Sequence, residues 1–268
     1  MRIAVIGLGQ IGMGVCRLAL QGGHEVHGYD VATPESATLP AGLVLADSPA
    51  AAARDSDCVL LAVFDGAQAL EVLRAILADA AGSQVVAVLS TVTLETMREA
   101  DRLVSGTGVR VLDCGVSAGT AFQEGAKLAL AVGGEQAACE RVRPVLESFG
   151  DPVVYMGGLG SGMAAKLARN LMHYCSGLAD WESASLAARA GVDVNSFVEF
   201  IKAAELKGKG HMRYVRATAD GGLEDDGLPP NSYARKDLRA ALDLATELEL
   251  DLPAATLAAG IFDGLAEG

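Results

Sequence analysis

The stretch GMAAKLARN, residues 162–170, sets one lysine among alanines, leucines and a methionine. Asn170 follows Lys166 by four residues, so on a helix the two side chains share a face. Lysine is among the last residues a chain buries without a reason. The local sequence leaves two readings open. Lys166 could be a snorkelling side chain whose stem covers apolar surface while its head reaches water. Alternatively it is an amine desolvated so that it exchanges protons well below the ~10.4 of free lysine.

A second group of chemistry-bearing residues opens the chain. RIAVIGLGQIGMG contains Gly7-x-Gly9-x-x-Gly12, placed after an apolar strand pattern and at the head of a helical one. In a dinucleotide-binding turn each glycine has a mechanical role. Gly7 permits the tight turn, Gly9 lets backbone approach a pyrophosphate, and Gly12 lets helix pack closely on strand. The intervening Leu8, Gln10 and Ile11 complete the loop, and the first helical N–H groups face the phosphates. A glycine-rich turn without a ligand is the plainer alternative. A second strand pattern, EVHGY, ends at Asp30, 18 residues after Gly12. A carboxylate there can accept hydrogen bonds from the adenosine ribose and repels a 2′-phosphate. The following VATPE carries no Arg or Lys, so NAD is expected over NADP, unless Asp30 merely starts a turn.

These residues need a scaffold, and the rest of the sequence describes one. Apolar β-type runs recur at RIAVIG, HEVHGYD, CVLLAV, QVVAVLS, VRVLD, KLALAVGG and PVVYMG. Helical patterns lie between most of them, at 10–21, 48–53, 67–77, 94–105 and 135–149. Such alternation predicts a mainly parallel, doubly wound sheet covered on both faces, an α/β domain of Rossmann type. After GGLGSG the pattern changes: from Ser161 to about Ala190 there is no proline and a single glycine, with apolar residues on nearly every side. That predicts one long, multiply packed helix at the centre of an all-α domain. The expected division is 1–159 for the nucleotide-binding domain and 160–268 for the helical one.

Composition narrows the class. The chain is 51% hydrophobic but only 4% aromatic, so Ala, Val and Leu must pack the core. A net charge of -13 disfavours nucleic acid and anionic membrane. No run approaches the ~20 apolar residues of a membrane span, and MRIAVIG is not a signal peptide. Five scattered cysteines without CxxC or His/Cys spacing suggest reduced thiols, no metal site and a cytoplasmic protein.

Taken together, the motifs resemble the β-hydroxyacid dehydrogenases, the group that includes 3-hydroxyisobutyrate dehydrogenase, over essentially the whole chain. GLGQIG (7–12) matches the family's GLGxMG. DCGVSAG (113–119) matches DxPVSGG, with Gly115 for proline and Ala118 for glycine. Gly162, Lys166 and Asn170 match GxxxKxxxN, and KDL at 236–238 matches a late KDL. The resemblance implies that Lys166 is the general acid/base, that Ser117, Ala118 and Gly119 form the substrate loop, Ser117 and Gly119 holding a substrate carboxylate, and that Asn170 positions the substrate. It further implies that Val63 and Phe64 (in AVF, where the family has Met-Leu-Pro), Thr91 (in STV) and Lys236 lie against the cofactor. It also implies a small β-hydroxyacid substrate, a helical second domain that dimerises, and hence a homodimer or dimer-based oligomer. The departures at Gly115, Ala118 and Pro229, where an aromatic usually precedes KDL, and the end of the chain 32 residues after Lys236 fall on the substrate side or the C-terminal closure, not on the cofactor loop. Other activities are reduction of the matching semialdehyde, reduction of an imine, whose family members generally lack the lysine, or a non-catalytic nucleotide-binding module. A basic segment, 202–216, would form an anion-attracting rim or simply a solvated surface.

Overall fold

The computed structural model of the chain describes residues 1–32, 39–78, 84–117, 122, 125–207 and 231–264. Contacts divide it into two compact units, Met1–Asn170 and Leu171–Gly268.

The first unit is built on eight strands: β1 (Arg2–Ile6), β2 (Glu25–Tyr29), β3 (Val44–Leu45), β4 (Cys58–Leu61), β5 (Val85–Val88), β6 (Arg110–Ser117), β7 (Leu128–Gly134) and β8 (Gly150–Gly157). Their order in the sheet is β3-β2-β1-β4-β5-β6-β7-β8. Every pairing is parallel except β6–β7, so β7 and β8 run against the rest. The apolar runs make this sheet because successive side chains alternate between two packed faces. In β1, Ile3 and Val5 enter one core cluster while Ala4 and Ile6 enter the other. Helices α1 (Gln10–Gln21) and α5 (Gln136–Phe149) cover the first face. Helices α2 (Pro49–Ala53), α3 (Gly66–Leu77) and α4 (Leu94–Val104) cover the second. The sheet is thus mostly parallel and doubly wound, as the alternation predicts.

Chain direction along the sheet reverses between β1 and β4, which leaves a crevice beyond their carboxyl ends where such folds take ligands. The helices around it begin differently. Ser48 Oγ accepts the Ala51 N–H at 3.1 Å to cap α2, Asp65 Oδ1 accepts that of Gln68 at 2.9 Å to cap α3, and Thr93 Oγ1 accepts that of Thr96 at 3.1 Å to cap α4. Helix α1 starts at Gly9 with no side-chain cap and no acid in its first turn, so its leading N–H groups have no side-chain acceptor.

The long helix α6 runs Ser161–Arg189, and its first ten residues belong to the sheet-containing unit. The second unit takes the remainder of α6 with α7 (Val194–Lys207), α8 (Asn231–Glu247) and α9 (Pro253–Gly264). Among the described residues no strand follows β8. Among its described residues the helical unit holds one buried acid, Glu182, 2% exposed. Its carboxylate accepts the N–H groups of Ala254 at 2.7 Å and Ala255 at 3.0 Å and so caps α9 from across the unit. No helix among the described residues is long and apolar enough to cross a membrane.

Candidate active site

The glycine loop is shaped by contacts that only glycine permits. Gly7 sits at φ +95°, and a β-carbon there would lie 2.4 Å from the Ala62 carbonyl oxygen. At Gly12 a β-carbon would lie 1.8 Å from the Gly7 carbonyl oxygen. These two residues bring α1, the loop and the end of β4 together. Gly9 differs: nothing in the protein lies within 4 Å of its would-be β-carbon. That surface faces a cleft of about 800 Å³ lined by the loop, the end of β2 and one face of α3.

Asp30 closes the loop from the side. Its Oδ2 accepts the Leu8 N–H at 2.6 Å and its Oδ1 accepts the Ala32 N–H at 2.9 Å. It therefore starts a turn and also holds the glycine loop. Each carboxylate oxygen keeps a further lone pair for a ribose hydroxyl. The cleft is lined by Gly7, Gly9, Gln10, Ile11, Asp30, Val63 and Phe64, all expected there. Leu8 and Gly12 are buried beneath it as loop structure. Phe64 is 89% exposed and Val31 92%, the two most exposed large apolar side chains among the described residues. Both face this cleft, which suits a flat aromatic base.

A smaller cavity of about 340 Å³ shares Ile11, Ala62 and Val63 with the cleft and extends to Leu89, Ser90, Thr91, Val116 and Lys166. Ser90 fixes its floor by donating to the Val63 carbonyl at 2.7 Å, which ties the end of β5 to that of β4. Thr91 and Lys166 thus share a wall although 75 residues separate them. Lys166 is half-buried. Burial, and secondarily the Arg169 guanidinium three residues along the helix, hold its ammonium below the usual lysine range.

Ser117 ends β6 and Asn170 lies one helical turn beyond Lys166. Both are half-buried, and neither lines the small cavity. Asn170 Oδ1 receives a long contact from Arg169 Nη1 at 3.4 Å. Ala118 and Gly119 lie outside the described residues, as do Pro229 and residues 208–216 of the basic segment. Lys236 is on α8 in the helical unit, exposed and 3.2 Å from Asp237. Cys114, within the substrate motif, is fully buried with its thiol pushed up by desolvation, so it is no nucleophile. No group of three or more His, Cys, Asp or Glu among the described residues could hold a metal.

One residue of the site went unassigned from sequence. Asp113 is fully buried, and its carboxylate accepts the N–H groups of Gly160 at 2.7 Å and Met163 at 2.5 Å, capping the helix that carries Lys166. An acid among five apolar or small strand residues, VLDCGV, was the available signal.

An uncapped helix start, an unfilled face over Gly9 and a carboxylate at the end of β2 fit a dinucleotide. Comparison with known proteins agrees. The family model described as the NAD binding domain of 6-phosphogluconate dehydrogenase matches residues 2–158. The one described as NAD-binding of NADP-dependent 3-hydroxyisobutyrate dehydrogenase matches residues 160–268. Mitochondrial 3-hydroxyisobutyrate dehydrogenase of Drosophila melanogaster is 27% identical over 99% of this chain and 84% of its own length. A Mycobacterium tuberculosis 3-hydroxyisobutyrate dehydrogenase solved with L-serine is 25% identical, with a TM-score of 0.67 over 99% of this chain and 94% of that one. An imine reductase variant from Myxococcus stipitatus, solved with NAD+, shares the fold at a TM-score of 0.87 over 99% and 93% of the two chains, at 21% identity. The chain belongs to the β-hydroxyacid dehydrogenase family, the group of 3-hydroxyisobutyrate dehydrogenase, as an oxidoreductase whose cofactor is NAD.

Proposed function

We propose that the protein is an NAD-preferring dehydrogenase of a small β-hydroxyacid similar to 3-hydroxyisobutyrate, with Lys166 as general acid/base. The observation that carries this reading is the placement of Lys166, its acidity raised by burial, with Thr91 in the lining of a cavity that shares Ile11, Ala62 and Val63 with the dinucleotide cleft. The bound dinucleotide supplies the hydride acceptor. The neutral amine of Lys166 takes the hydroxyl proton during oxidation, and the ammonium returns it during reduction. Ser117, with Ala118 and Gly119, holds the substrate carboxylate, Asn170 orients the hydroxyl-bearing carbon, and Lys236 serves the cofactor, the role the resemblance implies. Asp30 and the absence of Lys or Arg from residues 31–53 support NAD over NADP. Reduction of the related semialdehyde is the same chemistry reversed. An imine substrate is disfavoured by the presence of the lysine.

Self-association belongs to the same proposal. Leu171, Tyr174, Leu178 and Trp181 follow 3-4-3 spacing along α6 and are 68%, 70%, 45% and 62% exposed. Such a stripe is what a partner helix covers, and a second copy of this chain is the partner we infer. The test of the activity is a panel of small hydroxyacids, 3-hydroxyisobutyrate and L-serine included, offered with NAD+ and with NADP+ to the wild type and Lys166→Met. Turnover confined to the wild type supports the reading, and equal turnover by both removes it.

A further inference from the structure

We propose that strand β6 sets the position of Lys166 through two positioning residues on one of its faces, Asp113 and Gly115. The inference rests on the reading of Lys166 as the proton-transferring group.

Residues two apart on a strand point to the same side. Asp113 and Gly115 therefore both meet the first turns of α6, in different ways. Asp113 works by hydrogen bonding. Its two carboxylate oxygens take the N–H groups of Gly160 and Met163, groups that the start of a helix leaves without partners. Gly115 works by being small. A β-carbon there would stand 2.6 Å from Lys166 Cβ and 2.7 Å from the Gly162 carbonyl oxygen, closer than side chains tolerate.

The neighbouring strand completes the support. Gly133 pairs with Asp113 across the β6–β7 ladder, and a β-carbon on it would lie 2.5 Å from Asp113 Oδ1 and 2.7 Å from the Gly162 nitrogen. Ala131 pairs with Gly115, and its carbonyl oxygen would lie 2.3 Å from a β-carbon on Gly162. The helix turn from Gly162 to Lys166 thus lies backbone against backbone on the one antiparallel pair of the sheet. Lys166 leaves the helix at the end of this clamped turn. The height of its Cα above the sheet is fixed by residues that contact neither cofactor cleft nor cavity. Burial raises the Asp113 carboxyl above the usual carboxylate range, and the backbone N–H bonds from Gly160 and Met163 oppose that shift.

The experiment compares the full-length wild type with Gly115→Ala and Asp113→Asn. NADH titration counts competent sites and gives their affinity. Oxidation of 3-hydroxyisobutyrate, per NADH-binding site, gives kcat and KM separately. The pH midpoint of Lys166 acylation by acetic anhydride, read by peptide mass spectrometry against exposed Lys202, reports on the amine without turnover. We expect NADH affinity within about twofold of wild type and kcat per site down by about 10–100-fold, the usual cost of a displacement near 1 Å. KM should change less, and the Lys166 midpoint should rise toward the ordinary lysine range as the side chain moves into water. Asp113→Asn keeps side-chain size and one acceptor, so it decides the matter if Gly115→Ala binds no NADH. Activity loss matched by an equal loss of NADH sites, with an unmoved midpoint, would mean a merely structural role and overturn the inference. So would a kcat per site within twofold of wild type. If Lys166→Met turns over like wild type, the acid/base reading fails, whereas the acylation midpoints still report whether β6 places the amine.

Discussion

Leu8 donates its backbone N–H to Asp30 Oδ2 at 2.6 Å, so the acid at the end of the second strand holds the glycine loop that follows the first. The residue expected to choose the cofactor is also part of the scaffold that binds it. Hydrogen bonds to charged groups contribute about 1.5–3 kcal/mol, so the two roles separate by mutation.

Asp30→Ser should weaken NADH binding by about tenfold or more on this account. Asp30→Asn, which keeps an acceptor oxygen, should cost less. Only Asp30→Ser combined with Val31→Arg should favour NADPH, because it removes the repulsion and adds a phosphate partner. Fluorescence titration with both reduced cofactors reads this. A wild type that binds NADPH more tightly than NADH contradicts the assignment.

The glycines at 9 and 12 should respond oppositely in stability. Gly12→Ala drives a β-carbon into the Gly7 carbonyl and should lower both Tm and NADH affinity. Gly9→Ala meets nothing in the protein, so Tm should stay within a degree or two while NADH affinity falls steeply, on the order of tenfold or more. Calorimetry of both variants, with and without NADH, checks the pair. Unaltered NADH binding by Gly9→Ala would detach the loop from the pyrophosphate.

Lys166→Met should lower turnover by roughly 10²–10⁴-fold, the contribution of a positioned acid/base, with NADH binding nearly unchanged. Oxidation requires the neutral amine, so kcat/KM rises with pH through the lysine's midpoint. Because burial and Arg169 depress that midpoint, the limb should fall below ~10.4 and be missing in the variant. Lys166→Arg should fail almost as badly, since guanidinium keeps its proton. A pH profile of kcat/KM for the wild type that stays flat up to pH 10 would contradict this.

Much of this was legible from sequence because the signals are local. The strands of the nucleotide-binding half announce themselves by Val/Ile/Leu runs, and the loop by glycines at fixed spacing. The start of the long helix follows a glycine cluster. What stayed hidden is tertiary. Asp113 caps a helix whose N–H groups lie 47 and 50 residues later, and no spacing rule covers that distance. Gly115 reads as a departure in a substrate loop, and its packing against Lys166 exists only once β6 and α6 meet. Glu182 is hidden for the same reason: inside a helical pattern it is one more solvated acid until α9 arrives above it.

Glu182→Ala should destabilise the helical unit by about 1–3 kcal/mol, leaving two N–H groups of α9 without their acceptor. Denaturant melts should show the loss while NADH affinity holds. A melt identical to wild type would mean water replaces the carboxylate at no cost.

Leu171→Glu with Trp181→Glu should convert the proposed dimer to single chains. Light scattering at micromolar concentration should give a multiple of 27.4 kDa for the wild type and 27.4 kDa for the variant. A wild-type mass of one chain removes the proposed interface.

The dinucleotide cleft has a kinetic consequence. Its described lining holds Asp30 and Glu71 but no Lys or Arg, so on the proposed reading, with Lys236 outside this lining, a pyrophosphate at the glycine loop is met by backbone N–H groups whose pull ends within a few ångströms. Beyond that range a protein of net charge -13 repels a negatively charged dinucleotide. Capture therefore proceeds against the protein's field. Added salt, which shortens the ~8 Å screening length of physiological solution, should speed cofactor association where a basic binding site would be slowed.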